Sequence, residues 1–323
     1  MHIPVLQKEV LKYLDPKPNE NFIDATIGEG GHTAAILERN KPKGKVLGIE
    51  VDPELYQKLK SRMAEIRNST TAHFPMGWVA QPLSLRAVAK LEIRNRLILV
   101  NDSFVNLKES VKKQNFKQVS GILFDLGLSS WHLEESGRGF SFQREEPLDM
   151  RYDIKIKNGL RAEKIVNYWS AREIEKILRE DGEERFAKRI AKGIVEERKI
   201  QPIKTTFQLV ELIKRATPNW YHYRKIHPGT KTFQALRIAV NDELNNLKKV
   251  LPQALEVLER GGRLVVISFH SLEAKIVKDF FRETSLKLKV LTKKPICASR
   301  EEIKQNPRSR SAQLRAAIKI NEL

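Results

Sequence analysis

The residues with the most evident chemical capacity lie near the start of the chain, where an apolar run leads into a cluster of glycines. The run spans residues 22–27, the cluster is Gly28-Glu29-Gly30-Gly31, and apolar residues return at helical spacing after His32. This order predicts a strand, a tight turn and the start of a helix. Glycines allow positive φ and close approach of the backbone, and a helix start offers free N–H groups. We therefore expect a nucleotide-like ligand.

A second short apolar segment, residues 46–49, ends in Glu50, twenty residues after Gly30. A carboxylate in this place can accept hydrogen bonds from ribose hydroxyls. A dinucleotide-binding loop has a third glycine three positions past the second, and Thr33 stands there instead. The pattern favours S-adenosylmethionine, which has a ribose and no phosphate, over a nicotinamide cofactor. A nicotinamide-dependent oxidoreductase stays open as an alternative.

Two further apolar segments, residues 97–100 and 121–125, predict a third and a fourth strand. The first is followed by residues 102–104, and the second ends in Asp125. Strands that alternate with helices predict a mostly parallel, doubly wound α/β sheet whose carboxyl ends line one crevice. Any one polar loop is unremarkable in such a sheet, but the glycine loop, Glu50, residues 102–104 and Asp125 all fall at these ends.

The alternation of strands and helices stops between residues 136 and 228. Capping boxes that begin at Ser170 and Thr205 predict helices, so we expect an inserted all-helical subdomain over 136–228. The sheet domain then comprises 1–135, with an extra insertion near 66–94, and 229–323, whose last strands are basic. In this last part we expect one long helix that Pro252 bends or restarts, and a helix capped by Ser271.

The composition narrows the classes of partner. The chain has 323 residues and a formal net charge of +19, which favours a polyanion such as nucleic acid. No apolar run reaches spanning length, and no charged leader precedes an apolar block, so we expect a cytoplasmic protein without a membrane partner. One cysteine, Cys297, and seven scattered histidines give no expectation of a metal site.

Cations and aromatic residues are interleaved between residues 214 and 227. Unpaired bases can stack on such rings while the cations meet phosphates, which points to single-stranded or looped RNA. A solvated basic loop explains the same pattern equally well. The RNA-binding candidates are Arg215, Trp220, Tyr223, Arg224 and Lys225.

Ten short motifs follow one another in order along nearly the whole chain. They are His2-x-Pro4-Val5-Leu6, Asp24-x-Thr26-x-Gly28-x-Gly30-Gly31-His32, Asp125-Leu126-Gly127-x-Ser129-Ser130, Arg138-Gly139-Phe140-Ser141-Phe142, Pro147-Leu148-Asp149-Met150-Arg151, Gly182-Glu183-Glu184-Arg185, Thr232-Phe233-Gln234-Ala235-Leu236-Arg237-Ile238, Asn241-Asp242-Glu243-Leu244, Ser268-Phe269-His270-Ser271-Leu272-Glu273 and Asn306-Pro307-Arg308-Ser309-Arg310-Ser311-Ala312. Together they resemble the RsmH (MraW) family of bacterial 16S rRNA cytosine-N4 methyltransferases.

The resemblance implies a Rossmann-like class I methyltransferase fold, S-adenosylmethionine as cofactor and 16S rRNA in the small ribosomal subunit as partner. The methyl acceptor would be the exocyclic N4 amine of a decoding-centre cytosine. Glu50 stands where the family usually has Asp, which keeps a carboxylate, and His132 stands where Gln is usual. The residues that would hold the donor are Gly30, Gly31, His32, Glu50, Phe104, Asp125 and His132. A non-catalytic ribosome assembly or RNA-binding factor with a methyltransferase-like fold is the alternative.

A cytosine amine is a poor nucleophile because its lone pair is delocalised into the ring, so the site needs hydrogen-bond acceptors and a route for the surplus proton. DNA amino-methyltransferases have prolines and an aromatic residue in the turn where this chain has Asp125-Leu126-Gly127-Leu128. That arrangement is not transferable. Ser129 and His270 are the candidate catalytic residues, although each is also explained as a turn or loop residue. The oligomeric state is open, and a homodimer is compatible with the sequence.

Overall fold

The computed structural model describes residues 4–68, 95–156 and 159–320. The chain divides into two compact units. The first, which we call the sheet unit, comprises Met1–Gly127 and Leu244–Leu323, and the second, the helical unit, is Leu128–Glu243. The insertion predicted near 66–94 falls almost entirely outside the described residues.

All strands of the described residues belong to the sheet unit. In chain order they are β1 (Asn21–Asp24), β2 (Val46–Glu50), β3 (Leu97–Asn101), β4 (Val119–Asp125), β5 (Leu258–Ser268), β6 (Leu288–Val290), β7 (Ile296–Cys297) and β8 (Gln313–Lys319). The described helices, numbered along the chain, are α1 (Gln7–Leu14), α2 (Gly31–Arg39), α3 (Pro53–Asn68), α4 (Leu107–Lys113), α5 (Ser130–Glu134), α6 (Ala162–Tyr168), α7 (Ala171–Glu180), α8 (Ala187–Ile200), α9 (Thr206–Ala216), α10 (Asn219–His222), α11 (Thr230–Asn241), α12 (Glu243–Val257), α13 (Ser271–Glu283) and α14 (Arg300–Gln305).

The strands form one sheet in the order β3-β2-β1-β4-β5-β8-β6, and β7 pairs with β8 beside this path. Strands β1 to β5 run parallel to one another, whereas β8 runs antiparallel to β5, β6 and β7. This topology confirms the predicted mostly parallel, doubly wound sheet of a Rossmann-like class I fold. It also brings the carboxyl ends of β1, β2, β3 and β4 side by side, where the candidate donor-binding residues follow.

Each face of the sheet has its own hydrophobic core, because successive side chains of a strand point to opposite faces. Phe22 and Leu123 pack on the face covered by α1, α2 and α3. Their neighbours Ile23 and Phe124 pack on the other face, with residues of α4, α12 and α13. Burial on both faces explains why these strands appear in the sequence as continuous apolar runs.

The helical unit has a separate core, and its boundaries differ from the predicted positions at 135/136 and 228/229. The core contains Phe233 and Leu236 of α11 at one end of the segment, and Leu128 packs against it at the other. These apolar contacts place the observed boundaries at 127/128 and 243/244. Both capping boxes predicted in this block, at Ser170 and Thr205, are confirmed.

Two local expectations about helices were wrong. The predicted long helix is two helices, α11 and α12, and the break falls at Asp242, whose φ of 51° is left-handed, rather than at Pro252. The Asn241 side-chain amide donates to the carbonyl oxygens of Met150 (2.7 Å) and Arg237 (2.9 Å), which holds the end of α11. The N-cap of α13 is His270 rather than Ser271. Among the described residues, no helix has the length and hydropathy to cross a membrane.

Candidate functional site

The glycine loop between β1 and α2 has the backbone conformation that glycine favours. Gly28 has a φ of 52°, and Gly30, the N-cap of α2, has a φ of 83°. The Ile27 N–H donates to the Ile49 carbonyl (3.0 Å), which fixes the start of the loop against β2. Gly30 has no side chain, and none of the described side chains caps α2, so the first N–H groups of the helix lack a side-chain acceptor at the N-cap.

Gly31 is required for a reason that the sequence did not reveal. A Cβ atom built on Gly31 would come within 2.4 Å of the Pro4 Cγ atom. The Pro4 segment is held in place at Leu6, whose N–H donates to Glu302 Oε1 over 2.7 Å. Gly31 therefore allows the segment before α1 to pack on the first turn of α2, a role distinct from close approach to a ligand.

Glu50, at the end of β2, is almost completely buried and shares its carboxylate between two loops. Its Oε2 accepts from the Gly28 N–H (3.1 Å), and its Oε1 accepts from the Asp52 N–H (2.9 Å). Burial, which disfavours the charged form, raises the pKa of Glu50 to about 8. A carboxylate oxygen can accept more than one hydrogen bond, so Glu50 retains capacity for hydroxyl donors such as those of a ribose.

Two buried polar residues, Asp24 and Thr33, connect the end of β1 to the first turn of α2. The Thr33 hydroxyl donates to Asp24 Oδ2 over 2.7 Å, and burial raises the pKa of Asp24 above its usual range. Thr26 connects the loop to the end of β4, because its Oγ1 accepts a hydrogen bond from the Asp125 N–H over 2.7 Å. Sequence reasoning missed these positioning roles, although Asp24 and Thr26 both belong to the loop motif.

His32 and Asp125 come together at the carboxyl edge of the sheet. His32 Nε2 lies 3.5 Å from Asp125 Oδ2, an ion-pair distance, and His32 is buried. Both ring nitrogens of His32 and Oδ1 of Asp125 are buried without a hydrogen-bond partner among the described residues. Buried polar atoms normally have such partners, so these atoms mark a place where a polar ligand is expected.

Phe104 follows β3 and is half-buried. Its ring meets that of Phe124 edge to face, with centroids 5.9 Å apart. The chain before it is tied to β2, since the Asp102 N–H donates to the Glu50 carbonyl over 3.1 Å. Six of the predicted donor-binding residues thus lie at or just after the carboxyl ends of adjacent strands of one sheet: Gly30, Gly31, His32, Glu50, Phe104 and Asp125.

His270 lies beyond β5, also in the sheet unit. Its Nε2 is 3.1 Å from Oε1 of the buried Glu273, and Glu273 Oε2 accepts from the Phe269 N–H over 2.8 Å. Phe269 in turn packs on the loop after β4, because a Cβ on Gly127 would come within 2.7 Å of its ring. This chain of contacts fixes the position of the His270 imidazole.

Ser129 and His132 belong to the helical unit. Ser129 is the N-cap of α5, where its Oγ accepts from the His132 N–H, and the same Oγ lies 2.7 Å from His132 Nδ1. The buried His132 ring meets Phe140 and Tyr152 edge to face, with centroids 5.0 and 4.9 Å away, and those two rings stack on each other. The hydroxyl and the imidazole therefore form one local hydrogen-bonded pair.

The RNA-binding candidates are exposed, but they differ in their surroundings. Arg215 forms an ion pair with Glu197, at 2.7 Å. Arg224 instead lies over the Tyr221 ring, 5.4 Å from its centroid. Trp220, Tyr223 and Lys225 are exposed. Sequence reasoning missed Arg185, which lies over the Trp220 ring, and Arg189, which lies over the Phe186 ring. The Gly182-Glu183-Glu184-Arg185 motif was an available signal for Arg185.

Comparison with known proteins gives consistent results. The profile of the MraW methylase family matches residues 1–82 and 83–320. Ribosomal RNA small subunit methyltransferase H of Halothermothrix orenii is 42% identical over 336 residues, covering 99% of this chain and 98% of its own. The proteins of the same name from Heliobacterium modesticaldum and Thermosipho melanesiensis are 41% and 44% identical, again covering 99% of this chain and 98% of theirs.

Proposed function

The chain belongs to the MraW methylase family, and from this premise we propose that it methylates 16S rRNA of the small ribosomal subunit. The proposed donor is S-adenosylmethionine, and the proposed acceptor is the exocyclic N4 amine of a decoding-centre cytosine. The names of these relatives support a small-subunit rRNA substrate, while the cytosine and its N4 atom come from the motif resemblance.

The observation that carries the proposal is the set of buried polar atoms on His32 and Asp125 that have no hydrogen-bond partner among the described residues. Gly28 and Gly30 add left-handed backbone, and Glu50 adds a buried carboxylate with spare acceptor capacity. These groups suit a ligand that has hydroxyls and a charged amino-acid part but no phosphate. The residues present therefore fit S-adenosylmethionine, with Glu50 as the proposed acceptor for the ribose hydroxyls.

The donor, when bound, supplies an electrophilic methyl carbon on a sulfonium. The protein's own contribution is to hold the acceptor amine in line with that carbon and to exclude water. Two hydrogen bonds, Thr33–Asp24 and Thr26–Asp125, hold the loop and the end of β4 in fixed positions before any ligand binds. Such preorganisation lowers the cost of reaching the reactive arrangement.

Removal of the amine proton needs an acceptor, for which we propose His270, with Ser129 as the second candidate. The contact between His270 Nε2 and Glu273 Oε1 restricts the imidazole to one orientation. Nδ1 of His270 is buried without a hydrogen-bond partner among the described residues, so it is available to a group that arrives with the substrate. Ser129 already serves as a helix cap, which makes its hydroxyl less available.

The test is transfer of labelled methyl groups to small ribosomal subunits from a strain that lacks this modification, followed by mass spectrometry of the nucleosides. We expect label on N4 of cytidine. Label on a ring carbon or on a ribose oxygen, with none on N4, would contradict the cytosine-amine assignment. A parallel titration with S-adenosylmethionine tests the alternative of a non-catalytic assembly factor. The enzyme should bind the donor and lose this affinity in Glu50→Ala, whereas the assembly factor should show no donor affinity.

A further inference from the structure

Three aromatic rings of the helical unit meet edge to face near the start of α8. The centroid of Phe186 lies 5.0 Å from that of Tyr221 and 5.8 Å from that of Trp220, and Trp220 and Tyr221 are 5.8 Å apart. Tyr221 is buried, whereas 51% of Trp220 is exposed. We call these three residues the aromatic platform. Two of its rings support an indole that faces solvent.

The platform is anchored by Glu184, a buried carboxylate of the Gly182-Glu183-Glu184-Arg185 motif. Glu184 Oε2 accepts from the Tyr221 hydroxyl (2.9 Å), and its Oε1 accepts from the Phe186 N–H (2.8 Å). Burial and the neighbouring carboxylate raise the pKa of Tyr221, so its hydroxyl stays a donor at neutral pH. A Cβ on Gly182 would come within 2.6 Å of the Lys231 carbonyl, so this turn lies tightly against α11. The motif therefore fixes the platform.

Three exposed guanidinium groups surround the platform. The Arg185 Cζ atom lies 5.6 Å from the Trp220 centroid, and the Arg189 and Arg224 Cζ atoms lie 5.9 and 5.4 Å from those of Phe186 and Tyr221. Within the part of the chain that the structure describes, none of the three has a carboxylate at ion-pair distance, unlike Arg215. A guanidinium that stacks on a ring keeps its N–H donors at the rim, where they can bind phosphate oxygens.

We propose that the aromatic platform, with Arg185, Arg189 and Arg224, binds an unpaired segment of RNA. One base stacks on the Trp220 indole, and the flanking phosphates meet the guanidinium groups. The proposal rests on the proposed function, which supplies the RNA, and it names a contact of that substrate on the helical unit. It needs no bound methyl donor, so it can be tested separately from methyl transfer.

The chemistry of the platform favours unpaired RNA over two other polyanions. A duplex stacks its bases inside the helix and would leave the exposed indole without a function. An acidic polypeptide would meet the cations, but it has no flat ring system to cover Trp220. Only an unpaired strand presents phosphates and an accessible base face together.

The first test replaces the three cations together, in the variant Arg185→Gln/Arg189→Gln/Arg224→Gln. The probe is a single-stranded oligocytidylate, and its affinity is measured over a range of salt concentrations without donor. We expect at least a roughly tenfold loss of affinity at low salt, and a slope of log affinity against log salt that is smaller by about two, since each lost phosphate contact removes about 0.7 for a single strand. The matched control Arg172→Gln/Lys176→Gln/Arg179→Gln removes three exposed cations of α7 and should stay near wild type.

The second test concerns the indole. Trp220→Ala should weaken oligocytidylate binding about tenfold, because base stacking on an aromatic ring is lost, with little change in the salt slope. Trp220→Phe keeps a ring and should recover most of the affinity. Circular dichroism and thermal unfolding of each variant show whether the helical unit remains folded.

An unchanged salt slope in the triple variant would overturn the proposal. A paired RNA duplex that bound as tightly as the single strand would also contradict the proposal. So would a wild-type protein that bound polyglutamate but not oligocytidylate. Failure of the proposed function is recognised separately, as absence of S-adenosylmethionine binding or of labelled small subunits. With unmodified subunits as substrate, we expect the triple variant to raise KM for the subunit while the Kd for S-adenosylmethionine stays unchanged.

Discussion

Thr33 donates a hydrogen bond of 2.7 Å to Asp24, and this bond joins the first turn of α2 to the end of β1. Thr33 occupies the position where a dinucleotide-binding loop has its third glycine. In a dinucleotide-binding loop, that glycine lets the helix pack closely on the strand. Here the Thr33 hydroxyl joins the helix and the strand by a buried hydrogen bond instead. The residue that argued against a dinucleotide in the sequence is thus a structural part of the loop.

The first prediction concerns this bond. Thr33→Val keeps the shape of the side chain and removes the donor, so Asp24 is left as a buried carboxylate with one partner fewer. We expect a loss of about 1–3 kcal/mol in the free energy of unfolding, measured by urea denaturation. Thr33→Ser, which keeps the hydroxyl, is the control. In an Asp24→Asn background the cost of Thr33→Val should shrink, and equal costs in both backgrounds would contradict this account.

The second prediction concerns the stability of the ligand-free protein. Folding raises the pKa of Glu50 from 4.5 to about 8, so the folded state holds a proton that the unfolded state releases. The resulting stability is fully present below pH 4.5 and is lost as the pH rises towards 8. Glu50→Gln, which mimics the protonated form, should become more stable relative to wild type over this range, by about 3–5 kcal/mol. Urea unfolding between pH 5 and pH 9 measures the difference, with the exposed Glu54→Gln as control; a flat difference for Glu50→Gln would refute the assignment.

The third prediction concerns donor binding and the same carboxyl group. Hydrogen bonds from ribose hydroxyls stabilise the ionised form of Glu50, so donor affinity should rise with pH until about 8. Near neutral pH, binding should release protons. Calorimetric titration with S-adenosylmethionine in buffers of different ionisation enthalpy measures this release. Glu50→Gln should bind more weakly and release no protons; release equal to that of wild type would assign the titration to another group.

The fourth prediction separates two roles of Gly31. A methyl group there would clash with Pro4, at 2.4 Å, so Gly31→Ala should destabilise the protein by about 1–3 kcal/mol. Replacing the ring in Pro4→Gly should restore most of that loss in the double variant. If the Pro4→Gly change restores stability but not the affinity for S-adenosylmethionine, Gly31 also faces the donor directly.

The fifth prediction concerns proton removal. His270→Gln should slow single-turnover methyl transfer by about 10²- to 10⁴-fold, the usual contribution of a general base, and leave the Kd for S-adenosylmethionine unchanged. Lys275→Gln, an exposed change on the same helix, is the control. Ser129→Ala, compared in the same assay, should act mainly through loss of a helix cap, which costs about 1 kcal/mol. A His270→Gln enzyme with full single-turnover rate would leave Ser129 as the candidate.

Features that depend on neighbours in sequence were predictable. Asp52 caps α3 as expected, because its Oδ1 accepts from the Glu54 N–H only two residues away, at 2.9 Å. Likewise β2 was found from its apolar run, and the side chains after each parallel strand were expected at one edge of the sheet. Short-range spacing therefore predicts the parallel strands and the side of the sheet on which the candidate site lies.

Features that depend on distant partners were not predictable. The buried Arg96 binds the carbonyl oxygens of Leu37 (2.9 Å) and Gly44 (3.0 Å), more than fifty residues earlier in the chain. The contact between Pro4 and Gly31 and the packing of Arg185 on Trp220 are of the same kind. No periodicity signals such pairs, because each depends on the path of the intervening chain.

The position of β8 in the sheet determines the order in which parts of the chain can fold during synthesis. This strand lies inside the sheet, between β5 and β6, yet β5 ends at Ser268 and β8 begins at Gln313. The outer edge of β5 therefore stays unpaired while the ribosome adds the intervening residues, and an unpaired edge invites wrong partners. The hydrogen bond from the Leu6 N–H likewise cannot form until Glu302 has been synthesised. The continuous segment Leu128–Glu243 needs no later residues for its own core, so vectorial folding can complete the helical unit first and the sheet unit last.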